Sequence, residues 1–491
     1  MLSFPARFPR LCAALLGALS VIGYAPFQLY PVPVLTLAGL FLLVRRAGGQ
    51  EFGLGYCYGL GLYGAGVSWI YVSLHDFGGM PAAGAALATA LLCAFLALFP
   101  GLACRIGAGL RRGRLVALPA AWVLSEWVLN WIFTGFPWLT LGYSQVPASP
   151  LAGFAPVLGA FGVSLCAAAC AALIAWLAGV WQSPRLRCLS ITALLAFWIA
   201  GSLLKQVEWT EPVGQPLSVS LLQGNIAQDL KWEASEIDRT LRTYLGLAIQ
   251  HPARLIVMPE TALPLLLHHV PEDYLRRLRE VATDQGGDLL LGVPEQENGL
   301  YFNSMISVGS APSQTYRKSH LVPFGEFIPF KAALGWIYRD WLHIPLADLA
   351  PGSTAQRPMR IAGQLVAANI CYEDVFGEEI IRQLPEATLL VNASNDAWYG
   401  RSLAAHQHLQ ISQMRALESG RMMLRATNTG ATAIIDPRGI LVAEAPHFTA
   451  TALTGTARGY TGSTPFVRFG NWPAIVLAML WLGLLRVREK K

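Results

Sequence analysis

Long apolar stretches come first along the chain, and a polar region with shorter apolar segments follows. Seven long stretches lie in the first 204 residues, near 11–27, 29–44, 52–74, 79–104, 115–133, 157–181 and 189–204. An eighth, over 469–487, follows the polar region. A helix needs about 20 consecutive apolar residues to span a bilayer. The third to sixth stretches reach that length, so the pattern predicts a membrane-spanning helical bundle over 1–204 and a further helix near the C-terminus.

The arginines of the first part lie in alternate connections between these stretches. Residues 1–204 contain ten arginines, no lysine and three acids. The arginines precede the first stretch, follow the second, and lie between the fourth and fifth and between the sixth and seventh. Because basic residues stay on the cytoplasmic side, this pattern predicts eight spans with both termini in the cytoplasm. The polar region is then extracytoplasmic, and residues 488–491 form a basic cytoplasmic tail.

A cleaved signal peptide is an alternative interpretation of the first stretch, since two arginines precede a short apolar run. The second stretch has to start from the outside in either case. The predicted topology of the remaining chain is therefore the same under both interpretations.

The composition excludes several classes of protein. Of the 491 residues, 54% are hydrophobic and 13% are charged, whereas soluble domains have about 25% charged residues. An ordinary soluble protein and a disordered chain are both excluded. The net charge of +6 is compatible with nucleic-acid binding, but the arginines of the first part serve as inner-face anchors. No basic patch remains, so we expect no nucleic-acid partner.

The polar region, residues 215–465, alternates between strand and helix patterns. Predicted strands are 217–222, 254–258, 288–293, 364–370 and 387–391, with a hairpin formed by 432–436 and 441–444. Predicted helices are 232–250, 271–285, 377–384 and 406–419. In the first of them, apolar residues recur at three- and four-residue spacing. Strands that alternate with helices are typical of a layered α/β domain.

Three chemically capable residues follow predicted strands or stand beside them. They are Glu260, Lys318 and Cys371. A thiol becomes a nucleophile as its thiolate, an ammonium lowers the pKa of a neighbouring thiol and stabilises an oxyanion, and a carboxylate transfers protons. The three residues therefore suit acyl transfer through a covalent intermediate. On the pattern alone, Glu260 as a helix cap, Lys318 as a surface lysine and Cys371 as an inert buried thiol remain alternatives.

Five motifs of the polar region resemble those of the nitrilase superfamily, in the same order. They are Met258–Ala262, Tyr316–Glu326, Asn369–Asp374, Val391–Trp398 and Arg425–Gly430. The resemblance implies an α-β-β-α sandwich over 215–465, with Glu260, Lys318 and Cys371 as the catalytic triad.

The first part carries further motifs. With Gly23–Phe27, Thr134–Ser144 and Gln223–Trp232 included, nearly the whole chain resembles the apolipoprotein N-acyltransferase family, a membrane branch of that superfamily. The resemblance implies a bacterial inner-membrane enzyme with a periplasmic catalytic domain. Its acyl donor is a phospholipid, with phosphatidylethanolamine as the expected one. The acyl chain forms a thioester on the nucleophile and then passes to the α-amino group of a diacylglyceryl-cysteine at an apolipoprotein N-terminus.

The resemblance also assigns supporting roles. Glu260 is the general base and acid, and Lys318 stabilises the oxyanion. Glu326, Tyr372 and Glu373 match family positions that support the site, where the two glutamates either orient Lys318 or receive the proton of the acceptor amine. A structural ion pair is the alternative for both glutamates.

Aromatic residues are candidates for the rim of a lipid-accessible opening. Extracting a long acyl chain into water costs on the order of 10 kcal/mol, at about 0.8 kcal/mol for each CH₂, so we expect a lateral opening between bundle and catalytic domain. The candidates for substrate binding or for a lid are Trp232, Trp336, Tyr338, Trp341 and Trp138. Anchoring at the membrane interface is the alternative role for these rings.

Two other function classes stay open on the sequence. One is a membrane-tethered nitrilase-type amidohydrolase that uses water as acceptor, and the other is a non-catalytic transporter or receptor. The predicted spans contain one acid in their interior, Glu126, which we expect to be hydrogen-bonded within the bundle. No metal-ligand pattern is visible, so we expect no metal and no cofactor. We also expect a monomer, because the bundle would block the surface through which nitrilase relatives assemble.

Overall fold

The computed structural model describes residues 7–110, 114–180, 182–329 and 348–490, with side chains up to residue 487. The chain forms two compact units. The first comprises Met1–Tyr71, Ala83–Glu208 and Arg468–Lys491, and the second comprises Val72–Ala82 and Trp209–Val467. A short piece of the N-terminal sequence thus belongs to the same unit as the polar region.

The first unit is helical. Its helices are α1 (Pro9–Ser20), α2 (Pro31–Arg46), α3 (Glu51–Gly66), α4 (Ala82–Ala108), α5 (Arg114–Leu129), α6 (Ala155–Leu177) and α7 (Pro184–Leu204), and the helix Trp472–Lys490 follows at the C-terminus. Proline occupies the first turn of α1, α2 and α7, where its missing N–H leaves no intrahelical hydrogen bond unmade.

Three described helical segments are long and apolar enough to cross a membrane: Ala82–Ala108, Pro150–Leu177 and Pro184–Leu204. Pro9–Gly23 and Trp472–Val487 are apolar but shorter. The structure therefore supports a membrane protein, and the count of eight spans stays a prediction. The third predicted stretch, 52–74, is not one helix, because α3 ends at Gly66 and a short helix, Ile70–Val72, then leads into a π-helical turn, Ser73–Phe77.

Glycine allows α1 and α3 to approach closely. A Cβ at Gly17 would lie 1.9 Å from the carbonyl oxygen of Tyr58, and one at Gly61 would lie 1.9 Å from that of Ala14. Any side chain at either position would force the two backbones apart. This packing of small residues is typical of helices that associate within a membrane.

Glu126 is buried within the first unit and hydrogen-bonded there, as expected. Its Oε1 atom accepts hydrogen bonds from Trp122 Nε1 and from the backbone N–H of Leu141, each at 2.9 Å. A second acid of this unit, Glu51, directly precedes the third predicted stretch; it is also buried and lies 3.7 Å from Arg114.

The second unit contains two six-stranded sheets. Its strands are β1 (Thr210–Gln223), β2 (Leu255–Val257), β3 (Asp288–Glu297), β4 (Leu300–Gly309), β5 (Thr315–Arg317), β6 (Met359–Ile361), β7 (Gln364–Ile370), β8 (Leu389–Ser394), β9 (Met423–Thr427), β10 (Ala433–Ile435), β11 (Leu441–Glu444) and β12 (Thr451–Gly462). The first sheet has the order β12-β1-β2-β3-β4-β5 and the second β11-β10-β9-β8-β7-β6. In each sheet three parallel strands, β1-β2-β3 or β7-β8-β9, are flanked by antiparallel neighbours.

Three apolar clusters hold the layers together. One core joins the facing sides of the two sheets, with Leu221 and Val257 from the first sheet and Val366 and Leu424 from the second. The outer face of the first sheet packs against helices α8 (Ala234–Gln250) and α9 (Glu272–Thr283). The outer face of the second sheet packs against α10 (Ala404–Ser419). The layers therefore follow the order helix, sheet, sheet, helix.

The strong periodic patterns of the polar region are confirmed. The predicted strands correspond to β1, β2, β3, β7 and β8, and the predicted hairpin pairs Ala433 with Glu444 in antiparallel register. The helix predicted over 377–384 is instead a short helix, Gly377–Ile380, followed by a 3₁₀ turn, Ile381–Gln383. Strands β4, β5, β6, β9 and β12 were not predicted, because β5 and β6 have only three residues each and polar residues interrupt the apolar pattern of the other three.

Candidate active site

Glu260 follows β2 and is held by hydrogen bonds on both carboxylate oxygens. Its Oε1 atom accepts from Asn303 Nδ2 at 2.7 Å and from Lys318 Nζ at 3.3 Å. Its Oε2 atom accepts from the backbone N–H of Asn395 at 2.9 Å. The side chain is 7% exposed, so its position is fixed by these donors rather than by solvent.

Lys318 follows β5 and lies between two carboxylates. Its backbone N–H donates to the carbonyl of Asn303 at 2.8 Å, which continues the pairing of β4 and β5. Its Nζ donates to Glu260 and, at 2.9 Å, to Glu326. Burial opposes protonation of this 1% exposed side chain, but the charges of Glu260 and Glu326 outweigh it and raise the pKa of Lys318 well above its usual value. The side chain is therefore an ammonium at neutral pH.

Cys371 follows β7 at the start of a 3₁₀ turn, Cys371–Val375. Its φ angle is +52°, a left-handed conformation that is unfavourable for a residue with a side chain and that recurs at functional sites. A sharp turn directly after a strand places the sulfur at the end of the sheet, where neighbouring strand ends also contribute residues.

The thiol of Cys371 is protonated at rest. Burial and the nearby charge of Glu260 raise its pKa well above the usual value, while the charge of Lys318 and a hydrogen bond from Ser394 act in the opposite direction. The sequence led us to expect that the ammonium makes the thiol more acidic. Lys318 does lower the pKa of Cys371, but burial and Glu260 raise it by more. A base therefore has to remove the proton during the reaction.

Asn303, in β4, was not singled out from the sequence. Its amide Nδ2 donates to Glu260 at 2.7 Å and to Glu326 at 3.0 Å, so one side chain fixes both carboxylates around Lys318. Glu326 is further held by the backbone N–H of Val322, at 2.8 Å from Oε2. An asparagine within an ordinary strand gives no sequence signal of this role.

Glu373 is buried and surrounded by donors. It accepts hydrogen bonds from the Tyr316 hydroxyl at 2.9 Å, from the backbone N–H of Ile370 at 2.7 Å, and from Ser319 through both its backbone N–H and its hydroxyl. These bonds tie the turn after β7 to the segment that carries Lys318. The geometry therefore favours support of Lys318 over receipt of a proton from the acceptor amine. These bonds come from hydroxyl and backbone groups and not from a cation, so among the described residues Glu373 does not form the ion pair that was considered for it.

Tyr372 is also buried, with its ring centroid 5.2 Å from that of Phe376 and 5.8 Å from that of His320. The ring packs edge to face on Phe376. Tyr372 thus contributes to the packing of the turn that begins with the nucleophile.

A neutral cluster of four buried charges lies behind the nucleophile. His408 is 2.7 Å from Asp374 and 2.9 Å from Asp396, and Arg425 donates to the same two carboxylates at 3.1 Å and 2.7 Å. Burial and Arg425 oppose protonation of His408, but Asp374 and Asp396 raise its pKa to about 9. Two cations and two anions are therefore present at neutral pH.

This cluster reaches the nucleophile through Asn392. Arg425 donates to Asn392 Oδ1 at 2.8 Å, and Asn392 Nδ2 donates to the carbonyl oxygen of Cys371 at 3.1 Å. A hydrogen bond to that carbonyl helps to hold the left-handed backbone at Cys371.

Comparisons with known proteins show which family the chain resembles. Residues 16–173 match the family described as apolipoprotein N-acyltransferase N-terminal domain, and residues 218–466 match the carbon-nitrogen hydrolase family. An apolipoprotein N-acyltransferase of Nitrosomonas europaea is 54% identical over 487 residues, covering 97% of this chain and 96% of the relative. That of Chromobacterium violaceum is 47% identical over 483 residues, covering 97% and 93%. The chain belongs to the apolipoprotein N-acyltransferase family.

The family inferred from the motifs is thereby confirmed. Among solved structures, the NitFhit protein of C. elegans gives a TM-score of 0.40 at 14% identity, covering 54% of this chain and 64% of that one. A carbon-nitrogen hydrolase superfamily protein of Xanthomonas campestris gives a TM-score of 0.36 at 17% identity, covering 54% and 97%.

The aromatic candidates for an opening have different surroundings. Trp336, Tyr338 and Trp341 lie outside the described residues. Trp232 is half-buried. Trp138 is 2% exposed and stacks on Phe136 in the first unit, so its ring packs inside that unit and does not line an open surface.

Lys231 is a second buried lysine near Glu260 that the sequence did not single out as catalytic. Its Nζ donates to the backbone carbonyl of Glu260 at 3.4 Å. Burial lowers the pKa of Lys231 to about 8, with the charge of Glu260 acting in the opposite direction. Lys231 thus anchors the main chain of Glu260, whereas Lys318 contacts its side chain.

Two histidines and a glutamate also come together at a place that the sequence did not indicate. His406, Glu444 and His447 bring potential ligand atoms within 4.8 Å of one another. However, the His406 and His447 rings are stacked at 18° to each other. Nearly parallel rings direct their in-plane lone pairs in parallel, so in this arrangement they do not converge on one ion.

We predict that Glu373→Gln slows alkylation of Cys371 by iodoacetamide about tenfold, because an unmet buried hydrogen bond costs about 1–3 kcal/mol. The amide NH₂ of glutamine would face donors such as Ser319 N–H, and the segment bearing Lys318 would shift. The rate is measured by mass spectrometry of the peptide that contains Cys371. Glu272→Gln, at an exposed position of α9, is the control, and an unchanged rate in Glu373→Gln contradicts the supporting role.

We also predict that the stability contributed by His408 is lost at high pH. The folded-state pKa of about 9 lies above the unfolded value of about 6.5, so the contribution is complete below that unfolded value and disappears as the pH rises through about 9. The difference in Tm between the wild-type protein and His408→Gln should therefore narrow between about pH 6.5 and about pH 9.5. Groups that titrate in both proteins, such as Lys231, affect both Tm values alike and cancel in this difference. A constant difference contradicts the assignment.

Proposed function

We propose that the protein is a phospholipid:apolipoprotein N-acyltransferase with Cys371 as nucleophile, Glu260 as general base and acid, and Lys318 as oxyanion stabiliser. The observation that carries the proposal is the buried Lys318 ammonium between Glu260 and Glu326, in electrostatic contact with Cys371. Family membership over nearly the whole chain supports transfer to an amine rather than to water.

In the first half-reaction, Glu260 takes the proton of the Cys371 thiol. The thiolate attacks the ester carbonyl of a phospholipid, and Lys318 stabilises the negative charge that develops on the carbonyl oxygen. The C–O bond to glycerol then breaks, and Glu260 returns its proton to the leaving oxygen. The products are a thioester on Cys371 and a lysophospholipid.

In the second half-reaction, the α-amino group of a diacylglyceryl-cysteine attacks the thioester. This group has an unperturbed pKa of about 7.7–8.0, so it first loses the proton of its ammonium form to reach the nucleophilic state. A second oxyanion forms at Lys318, the C–S bond breaks, and Glu260 passes the proton of the attacking nitrogen to the sulfur. The two substrates use one site in turn, which gives ping-pong kinetics.

The proposal extends to donor, location and assembly. Phosphatidylethanolamine is the proposed donor, and the protein is proposed to act as a monomer. The arginine pattern supports an eight-span topology in the bacterial inner membrane, with 215–465 in the periplasm, 469–487 as the eighth span and both termini in the cytoplasm. An active site at headgroup level meets the ester and the amine without extracting acyl chains into water.

The proposed nucleophile predicts an acyl-enzyme. Incubation of the purified wild-type protein with phosphatidylethanolamine should add one acyl mass to the peptide that contains Cys371, and hydroxylamine should remove it. A diacylglyceryl peptide should then release the adduct as an N-acyl product. Cys371→Ser should form no thioester and lose turnover by at least about 100-fold, since a hydroxyl is far less acidic than a thiol.

Three results would count against the proposal. Full turnover by Cys371→Ser would exclude the nucleophile. Release of free fatty acid in place of an N-acyl product would favour the amidohydrolase alternative with water as acceptor. An adduct on any of the other seven cysteines would relocate the site.

The proposed topology predicts one-sided labelling. In a background where the exposed Cys188 is replaced by serine, Gln296→Cys should react with a membrane-impermeant maleimide added outside the inner membrane. Gly109→Cys, at a position that is also exposed, should react only after the membrane is permeabilised. Equal labelling of both in intact membranes would contradict the positive-inside argument.

A further inference from the structure

The segment Val72–Ala82 belongs to the unit that contains the candidate active site, although its sequence neighbours on both sides belong to the helical unit. The segment is folded on itself. Its π-helical turn, Ser73–Phe77, is closed by the Gly78 N–H, which donates to the Ser73 carbonyl at 2.9 Å. His75 Nδ1 lies 2.8 Å from the carbonyl oxygen of Met80. The segment therefore has a defined shape of its own.

This segment packs against the turn Asn395–Gly400 that follows β8. The Ser73 hydroxyl donates to the carbonyl of Trp398 at 2.7 Å, and the Phe77 and Trp398 rings meet edge to face with centroids 6.4 Å apart. Gly400, at φ +54°, approaches so closely that a Cβ there would lie 3.3 Å from Val72 Cγ1. Contacts of three residues in the Val72–Ala82 segment thus hold one side of the Asn395–Gly400 turn in place.

Other groups of the same turn contact the catalytic residues. The Asn395 N–H donates to Glu260 Oε2 at 2.9 Å, and Asp396 pairs with Arg425 at 2.7 Å in the buried charge cluster. One short turn therefore contacts the Val72–Ala82 segment and also holds the general base.

We propose that the Val72–Ala82 segment, through Ser73 and Phe77, is a positioning element for Glu260 and acts through the Asn395–Gly400 turn. The carboxylate of Glu260 has to lie within hydrogen-bond reach of the Cys371 thiol to take its proton. Its Oε2 atom is held by a backbone N–H whose place is set by the turn. Release of the turn from the segment would move that donor and with it the base.

The test uses the full-length protein in detergent and follows two rates. Alkylation of Cys371 by iodoacetamide needs deprotonation of the thiol but no lipid, and acyl transfer from phosphatidylethanolamine gives kcat and KM. Phe77→Ala and Ser73→Ala should lower both the alkylation rate and kcat about 10- to 100-fold, as expected for a displaced catalytic group, with KM for the phospholipid little changed. Phe77→Tyr and Ser73→Thr, which keep the ring and the hydroxyl, should restore both rates.

Two comparisons separate positioning from simple structural support. Asp76→Ala, at an exposed position of the same turn, should behave as the wild-type protein. The combination of Phe77→Ala with Trp398→Ala should be no slower than Trp398→Ala alone, since residues that act through one contact are non-additive. Fully additive effects would overturn the proposal.

A rise in KM with an unchanged alkylation rate would overturn it as well, because the segment would then bind lipid and not position the base. This inference rests on the proposed catalytic role of Glu260 but not on the identity of the substrates. If the wild-type protein transfers acyl chains to water, the alkylation arm still tests the segment. If Phe77→Ala does not fold, Ser73→Ala and its Ser73→Thr partner decide the question.

Discussion

One buried ammonium organises the catalytic unit. Lys318 lies between Glu260 and Glu326, and no single partner would make its burial favourable, because desolvation of a charge is costly unless it is paired and hydrogen-bonded. Burial and the charge of Glu260 raise the pKa of Cys371 more than Lys318 lowers it, so the sulfur stays protonated until Glu260 takes its proton. The same arrangement thus sets the resting state of the nucleophile and supplies the base that activates it.

The remaining structure holds this cluster in place from several directions. Asn303 in β4 fixes both carboxylates, Lys231 holds the main chain of Glu260, and Glu373 ties the nucleophile turn to the segment of Lys318. Arg425 in β9, His408 in α10, and Asp374 and Asp396 in the turns after β7 and β8 form a neutral group of four charges behind Cys371. Each of these contacts joins elements that are distant in sequence, so the geometry of the site depends on correct assembly of both sheets.

Much of the fold follows from local patterns, and the parts that do not have identifiable physical reasons. Buried strands such as 217–222 and amphipathic helices such as 232–250 are visible because their apolar residues recur with a clear period. Short or polar-edged strands such as 315–317 are defined by their partners in the sheet, which no local pattern contains. The arginine distribution predicts a topology, but the length of each helix depends on packing and on breaks such as the one after Gly66.

Some residues of the candidate site can likewise be predicted from the sequence, and others cannot. Glu260, Lys318 and Cys371 stand out because they combine a chemically distinctive side chain with a strand end and a motif. Asn303 and Lys231 do not, since their roles arise from contacts across the sheet and with the loop after β2. The sequence also suggested an acidic thiol at Cys371, because a neighbouring lysine is visible in the motifs whereas the degree of burial is not.

A protonated, buried sulfur has a consequence for the lifetime of the enzyme. Thiolates attack peroxides and disulfides far faster than thiols do, and solvent access increases the damage. At 7% exposure and with a raised pKa, Cys371 offers such oxidants little target while no substrate is bound. Low exposure and protonation of the thiol therefore protect Cys371 from oxidation between catalytic cycles.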